Sequence, residues 1–199
     1  GGWNARDSLD AMEATDAVVL DNWVPEASKV SLRKGFASHA TGVGSGDVET
    51  VIEFHSGGTS KLIAAGGGAL YDATAEGAAS SLATGLSNDR WQGFNFGGKL
   101  ALMNGADAPK TFDGSSVAGM TVSGTGLTTS HLIGGGAYKA RTFFFEKSDG
   151  TNPRAFWYSG VNTLGGTLTK FALDTVVQTG GHIVAMEAWS RDGGAGPDD

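Results

Sequence analysis

The clearest alternation in the chain spans residues 48–54. Val48, Thr50, Ile52 and Phe54 fall on one side of an extended backbone, and Glu49, Val51 and Glu53 on the other. A period of two predicts a strand with one face more buried than the other. A second apolar run follows, Lys61-Leu62-Ile63-Ala64-Ala65, and then a short one with an aromatic, Leu70-Tyr71-Asp72. The same succession returns as residues 91–96, Lys99-Leu100-Ala101-Leu102-Met103 and Thr111-Phe112-Asp113. It returns again as residues 131–136, Arg141-Thr142-Phe143-Phe144-Phe145 and Phe156-Trp157-Tyr158, and residues 182–189 predict the first strand of a fourth unit. The second runs, such as Leu100-Ala101-Leu102-Met103 and Phe143-Phe144-Phe145, are apolar on both faces, as expected of strands sandwiched between neighbouring sheets, and are the best core candidates.

A corner precedes each unit. Thr41-Gly42-Val43, Thr84-Gly85-Leu86 and Thr125-Gly126-Leu127 share one pattern, with a looser copy at Thr179-Gly180-Gly181, and the intervals are 43, 41 and 54 residues. A repeat of this length carrying several short strands is the signature of propeller blades. The expected fold is therefore all-β, a β-propeller that is partial in this chain: about three blades plus the first strand of a fourth, over residues 41–199. Residues 1–40 fall outside the repeat and read as an extended N-terminal arm with one or two short strands, one starting at Ala17-Val18-Val19-Leu20 before Pro25 breaks it, the other at Lys29-Val30-Ser31-Leu32-Arg33. The unfinished fourth unit predicts a protein that continues past residue 199 or is closed by a neighbour. In two units an aromatic-Asp pair, Tyr71-Asp72-Ala73-Thr74 and Phe112-Asp113-Gly114-Ser115, predicts a turn in which the carboxylate accepts backbone N–H groups two residues on. Tyr158-Ser159-Gly160 replaces it in the third, whose length is explained by insertions near residues 148–154 and 161–167.

Composition narrows the class. Glycine at 33 of 199 residues, without a collagen period, fits a turn-rich β protein, and the absence of Cys removes disulfides and thiolate metal sites. A net charge of -7, with Arg33-Lys34 as the one adjacent basic pair, argues against phosphate-gripping nucleic-acid binding. No stretch approaches the roughly 18 apolar residues of a membrane span, and the first residues lack the pattern of a signal peptide.

No constellation of catalytic type emerges. His39, His55, His131 and His182 have no metal-ligand spacing, and the shared position of His131 and His182 at the start of a first strand reads as structural. Gly42-Val43-Gly44-Ser45-Gly46 resembles a phosphate loop in glycine content alone, since no helix follows, and neither Ser45 nor Ser123 sits in a nucleophile elbow. The tail Gly193-Gly194-Ala195-Gly196-Pro197-Asp198 matches a calcium nonapeptide once, where stacked copies are needed. Trp3, Trp23, Trp91, Trp157 and Trp189 offer a sugar-stacking alternative that blade packing also explains. Catalytic, cofactor and metal residues are accordingly expected to be none, and no enzyme activity is expected.

Several phrases carry a resemblance: Gly1-Gly2-Trp3-Asn4-Ala5-Arg6-Asp7, Asp16-Ala17-Val18-Val19-Leu20-Asp21-Asn22-Trp23-Val24-Pro25, Val30-Ser31-Leu32-Arg33-Lys34-Gly35-Phe36, Val48-Glu49-Thr50, Asn88-Asp89-Arg90-Trp91, Asn104-Gly105-Ala106-Asp107-Ala108-Pro109 and the final Asp192-Gly193-Gly194-Ala195-Gly196-Pro197-Asp198-Asp199. Together they resemble the tail nozzle proteins of short-tailed bacteriophages (podoviruses), also called tail tubular protein B. The resemblance implies a virion protein assembled in the host bacterial cytoplasm as a ring, a hexamer, below the portal and its adaptor. Its implied partners are copies of itself, the adaptor and portal-side tail proteins, and tail fibres, with genomic DNA passing through without sequence-specific binding. The competing expectation is a propeller that binds or cleaves a glycan, relying on Trp157 and the insertions near Asp149 and Asn162. A further one is a calcium-dependent adhesin relying on Asp198 and Asp199.

Overall fold

The computed structural model describes residues 2–19, 21–26 and 29–188. The chain is all-β and divides into two compact units, Gly1–Ser38 and His39–Asp199. In the first, β1 (Gly2–Trp3) runs parallel to β2 (Asp16–Ala17), and β3 (Trp23–Pro25) forms an antiparallel hairpin with β4 (Val30–Leu32). The Asn4 amide donates to Asp16 at 2.8 Å and to Asp7 at 3.0 Å, tying the β1 end to β2. This unit holds four short strands where one or two were expected, and it departs from expectation in two further places. The strand expected from Ala17 onward stops at Ala17, with Val18 and Val19 outside any strand and Leu20 outside the described residues. Pro25 does not interrupt a strand but closes β3, an end position on a two-stranded ribbon that proline tolerates.

The second unit contains three four-stranded antiparallel sheets, each a simple meander. After β5 (Ala40–Thr41), the first sheet comprises β6 (Thr50–Ser56), β7 (Thr59–Gly66), β8 (Ala69–Asp72) and, past β9 (Gly77–Ala78), β10 (Ser80–Thr84). The second comprises β11 (Gln92–Phe96), β12 (Lys99–Met103), β13 (Lys110–Phe112) and β14 (Val117–Gly119). After β15 (Val122–Ser123), the third comprises β16 (Leu132–Tyr138), β17 (Arg141–Glu146), β18 (Ala155–Tyr158) and, past β19 (Gly166–Thr167), β20 (Thr169–Ala172). The first, second and third strands read from the pattern all form, with ends displaced by at most two residues.

Strand alternation gives every sheet a leading face toward the sheet before it and a trailing face toward the sheet after it. Phe54, Ile63, Ala65 and Leu70 on the trailing face of the first sheet pack on Trp91, Leu100, Leu102 and Phe112 of the second. Ala101 and Met103, on the reverse of β12, pack on Leu132, Phe144 and Trp157 of the third. The doubly apolar second strands exist because both of their faces are covered, and each fully buried leucine there contributes about 1.5–3 kcal/mol. Ring pairs cross both junctions: Phe54 meets Phe112 edge-on at 5.1 Å, and Phe94 meets Phe144 at 5.7 Å. The first strands β6, β11 and β16 lie side by side. At Gly135 on β16 a Cβ would stand 2.1 Å from the Phe143 carbonyl oxygen of the adjacent β17 and 3.1 Å from the Phe94 ring of the second sheet, so glycine relieves a clash within the third sheet and leaves room for the Phe94 ring.

The recurrent corners share one backbone geometry. Gly42, Gly85, Gly126 and Gly180 have φ of +73°, +72°, +80° and +76°, the left-handed region that glycine enters without a Cβ penalty. After two of these corners the aliphatic residue turns inward, Leu86 against the first core and Leu127 against the second. The lead-in to the first and third sheets is clipped in the same way: β5 pairs in parallel with β9, and β15 with β19. The aspartate turns form as expected, with Asp72 accepting the Thr74 N–H at 3.0 Å and Asp113 accepting those of Ser115 and Ser116 at 2.9 and 2.8 Å.

The expected first strand of a fourth unit is not present. Residues 182–188 form no strand, and Trp189 lies outside the described residues. A strand needs a ladder partner, whereas the Ile183 N–H here donates to the Pro153 carbonyl at 3.0 Å.

Candidate functional site

One position in the repeat gathers the buried polar chemistry. Five residues after the cation that opens each second strand stand Gly66, Asn104 and Glu146. Asn104 and Glu146 are 1% and 0% exposed, and a polar group so enclosed must find partners. The Glu146 carboxylate accepts the Trp157 indole N–H at 3.0 Å and the Asn152 amide at 3.0 Å on Oε1, and the Asn152 backbone N–H at 2.9 Å on Oε2. His131, in the short turn leading into β16, places Nδ1 3.7 Å from Glu146 Oε2. That Nδ1 accepts the Thr151 N–H at 3.2 Å. The cluster fastens the insertion that follows β17 to the sheet. With three of its roughly four acceptor sites filled and the side chain fully buried, this carboxylate is closed to solvent.

The equivalent residue of the second sheet does the same work for the linker between sheets. Asn104 donates to the Asn88 carbonyl at 2.8 Å, while the Asn88 amide donates to the Asn104 carbonyl at 2.9 Å. Asn104 Oδ1 accepts the N–H groups of Ala106 and Asp107, and Asp107 accepts the Asn104 amide at 2.7 Å and the Ser87 N–H at 2.9 Å. Partial burial opposes ionisation of Asp107, but these bonds outweigh it and hold its carboxyl below the ordinary aspartate range. Asp89 caps the β7–β8 turn by accepting the Gly68 N–H at 2.9 Å.

Two of the cations at the start of the second strands, Lys61 and Arg141, also act structurally. Lys61 pairs with Asp72 at 2.7 Å across β7 and β8, and its ammonium lies 6.0 Å from the Phe112 ring of the next sheet. Partial burial works against the Asp72 charge, yet the bonds from Lys61 and Thr74 and the Lys61 charge prevail and lower its pKa. In the third sheet Arg141 donates to the Ser159 carbonyl at 2.7 Å, and Ser159 takes over the hydroxyl role of Thr74: its Oγ accepts the Thr142 N–H at 3.0 Å, as Thr74 Oγ1 accepts the Leu62 N–H at 2.9 Å.

The residues singled out for chemistry are dispersed. His39 Nε2 bonds the Ala73 carbonyl at 3.1 Å, His55 bonds Ser60 at 2.9 Å on the surface, and His182 lies in the strandless segment, so it is not the counterpart of His131. In the Gly42-Val43-Gly44-Ser45-Gly46 loop, Gly44 abuts the Gly66 carbonyl, so this loop closes on its own sheet. Trp157 is 0% exposed and has no free ring face, which removes it as a sugar-stacking platform. Trp3 and Trp23 are exposed in the first unit, and Trp91 is buried with no hydrogen-bond partner for Nε1. Asp149 meets Lys147 at 3.7 Å, and Asn162 adopts φ +56° in a turn; Asp198 and Asp199 lie outside the described residues. Among the described residues no group of three His, Asp or Glu side chains is placed to hold a metal, and no helix is long and apolar enough to cross a membrane.

The sequence reading quoted Asn104 inside a phrase and passed over Glu146. The signal available was a polar residue closing an otherwise apolar second strand, in Leu100-Ala101-Leu102-Met103-Asn104 and Phe143-Phe144-Phe145-Glu146. No family model matches the chain, and no curated protein or solved structure matches it.

Proposed function

We propose that the chain is a structural subunit of a short-tailed bacteriophage tail, of the nozzle type, whose three sheets are blades of a propeller and whose copies form a ring around or beside the DNA exit channel. The observation that carries the reading is the consumption of buried polar chemistry by scaffolding: Glu146, Asn104, Asp107 and Asp72 are all spent on turns and linkers. A molecule built this way is suited to rigidity and assembly. Two of the phrases that carry the resemblance, around Asn88 and Asn104, are joined by the reciprocal Asn88–Asn104 bonds, which gives those phrases a physical reason to occur together. The net charge of -7 disfavours retention of a passing duplex. On this reading the partners are further copies, the adaptor and portal-side proteins above and tail fibres around, and the protein resides in the virion.

The test is an antibody against the purified chain, applied to short-tailed particles in the electron microscope, together with peptide mass spectrometry of purified virions. Label at the distal tail, and peptides of this chain in the particle, are the expected result. A protein confined to the cell fraction and absent from particles would overturn the proposal.

A further inference from the structure

We propose that the chain cross-links itself in the third sheet: the Lys170 amine attacks the Asn152 side-chain amide, with Glu146 as proton carrier, to give an isopeptide bond and free ammonia. The three side chains stand in line. Lys170 Nζ donates to Asn152 Oδ1 at 3.3 Å, and Asn152 Nδ2 donates to Glu146 Oε1 at 3.0 Å. A C=O bond adds only about 1.2 Å, so the amide carbon lies within about 4.5 Å of the amine. The amide cannot turn over, because Nδ2 also donates to the Gly126 carbonyl at 2.9 Å, while the Asn152 backbone N–H is held by Glu146 Oε2 at 2.9 Å. The carbonyl is thereby presented to Lys170, and the leaving nitrogen to the carboxylate. Lys170 has no ion-pair partner among the described residues. Its Nζ lies 5.9 Å from the ring of Trp157, whose indole N–H donates to the same Glu146 oxygen at 3.0 Å. Glu146 and Trp157 are both 0% exposed, which closes the carboxylate end of the line to water.

The step is redox-neutral and needs no co-reactant. Lys170 lies on an exposed stretch of β20, where its ammonium can release one proton to solvent. The Nζ lone pair then forms the Nζ–Cγ bond, as a lysine nucleophile held in place does, and the Cγ–Nδ2 electron pair leaves with nitrogen. Of the two protons left on Nζ, one stays on the new amide and the other passes through Glu146 to Nδ2, which departs as ammonia. The common internal competitor for an asparagine side chain, the backbone N–H of the next residue, is missing because residue 153 is proline. The bond joins positions 18 residues apart and ties the insertion after β17 to β20, the outer strand of its sheet. In a chain without Cys it supplies the restraint on the unfolded state that a disulfide would give.

The cross-link depends on geometry inside one chain and stands or falls apart from the tail reading. Intact-mass spectrometry of the purified full chain, followed through incubation at neutral pH, is expected to show a species lighter than the sequence by one ammonia. A tryptic digest should contain residues 148–154 joined to residues 155–191, uncut at Lys170. Lys170→Arg, folded by circular dichroism, should keep the full sequence mass and unfold at lower urea than the cross-linked parent. Glu146→Gln should react at least about tenfold more slowly. A parent that holds its sequence mass, an ammonia loss that persists in Lys170→Arg, fragments that place the loss at another residue, or Glu146→Gln reacting at the parent rate would each overturn the proposal.

Discussion

Exchanging Glu146 for Gln preserves the side-chain shape and removes one acceptor from a site that uses both carboxylate oxygens. Oε1 serves Trp157 Nε1 and Asn152 Nδ2, each at 3.0 Å, and Oε2 serves the Asn152 backbone N–H at 2.9 Å. With the glutamine oxygen in the Oε1 place, its NH2 faces the Asn152 backbone N–H, donor against donor. With the amide turned over, the NH2 faces Trp157 and the Asn152 amide. Asn152 cannot flip in compensation without breaking its 2.9 Å bond to the Gly126 carbonyl. At least one buried donor is therefore left unmet, at about 1–3 kcal/mol, and the surviving bonds lose their charge assistance. A net loss of about 2–3 kcal/mol lowers Tm by roughly 4–12 °C for a chain of this size. Urea unfolding followed by circular dichroism measures the loss directly, provided the m-value is unchanged. A Glu146→Gln protein within about 0.5 kcal/mol of the parent would refute the view that this carboxylate is a structural acceptor.

Three further outcomes follow from the same geometry. Gly135→Ala, whose Cβ meets the Phe143 carbonyl at 2.1 Å, should cost about 3 kcal/mol or more, while Gly136→Ala, with its nearest neighbour at 3.7 Å, should be close to neutral; equal thermal shifts for the two would contradict the close approach of β17 at Gly135. Gly126→Ala meets no atom within 4 Å but is held at φ +80°, so its loss of about 1–2 kcal/mol comes from backbone strain alone, and Gly126→Asn should recover part of it in the same melting assay. The Asp72 pKa is lowered, so its stabilisation is complete above the ordinary value of 3.8 and is lost as pH falls through the lowered one. Asp72→Asn should therefore melt earlier than the parent at neutral pH, with a gap that narrows below about pH 3.8; a gap independent of pH would show that the Lys61 pair contributes nothing.

Most of the strand framework was legible in the chain because its causes are local. The alternation of Thr50, Ile52 and Phe54, the doubly apolar Leu100-Ala101-Leu102-Met103, the Thr-Gly corners and the aspartate turns each depend on residues a few positions apart, and each is found in place. Two readings failed where local pattern had no partner to act on. Residues 182–188 have strand-like composition and no ladder, and Val18 and Val19 are β-branched without being paired. The Glu146 cluster was hidden for a related reason: His131, Asn152 and Trp157 are separated from it by 15, 6 and 11 residues, and no spacing rule links them.

Hydrophobic period and turn chemistry, then, set where the backbone extends and where it reverses, since each is settled within one strand or one corner. Which face of a sheet is covered, which carboxylate is buried and which aromatic surface is left open depend on strands brought together from about 40 residues apart, as when Asn95 reaches Glu53 and His55. Those outcomes belong to packing, because burial and hydrogen-bond satisfaction are properties of the assembled sheets and of no single segment.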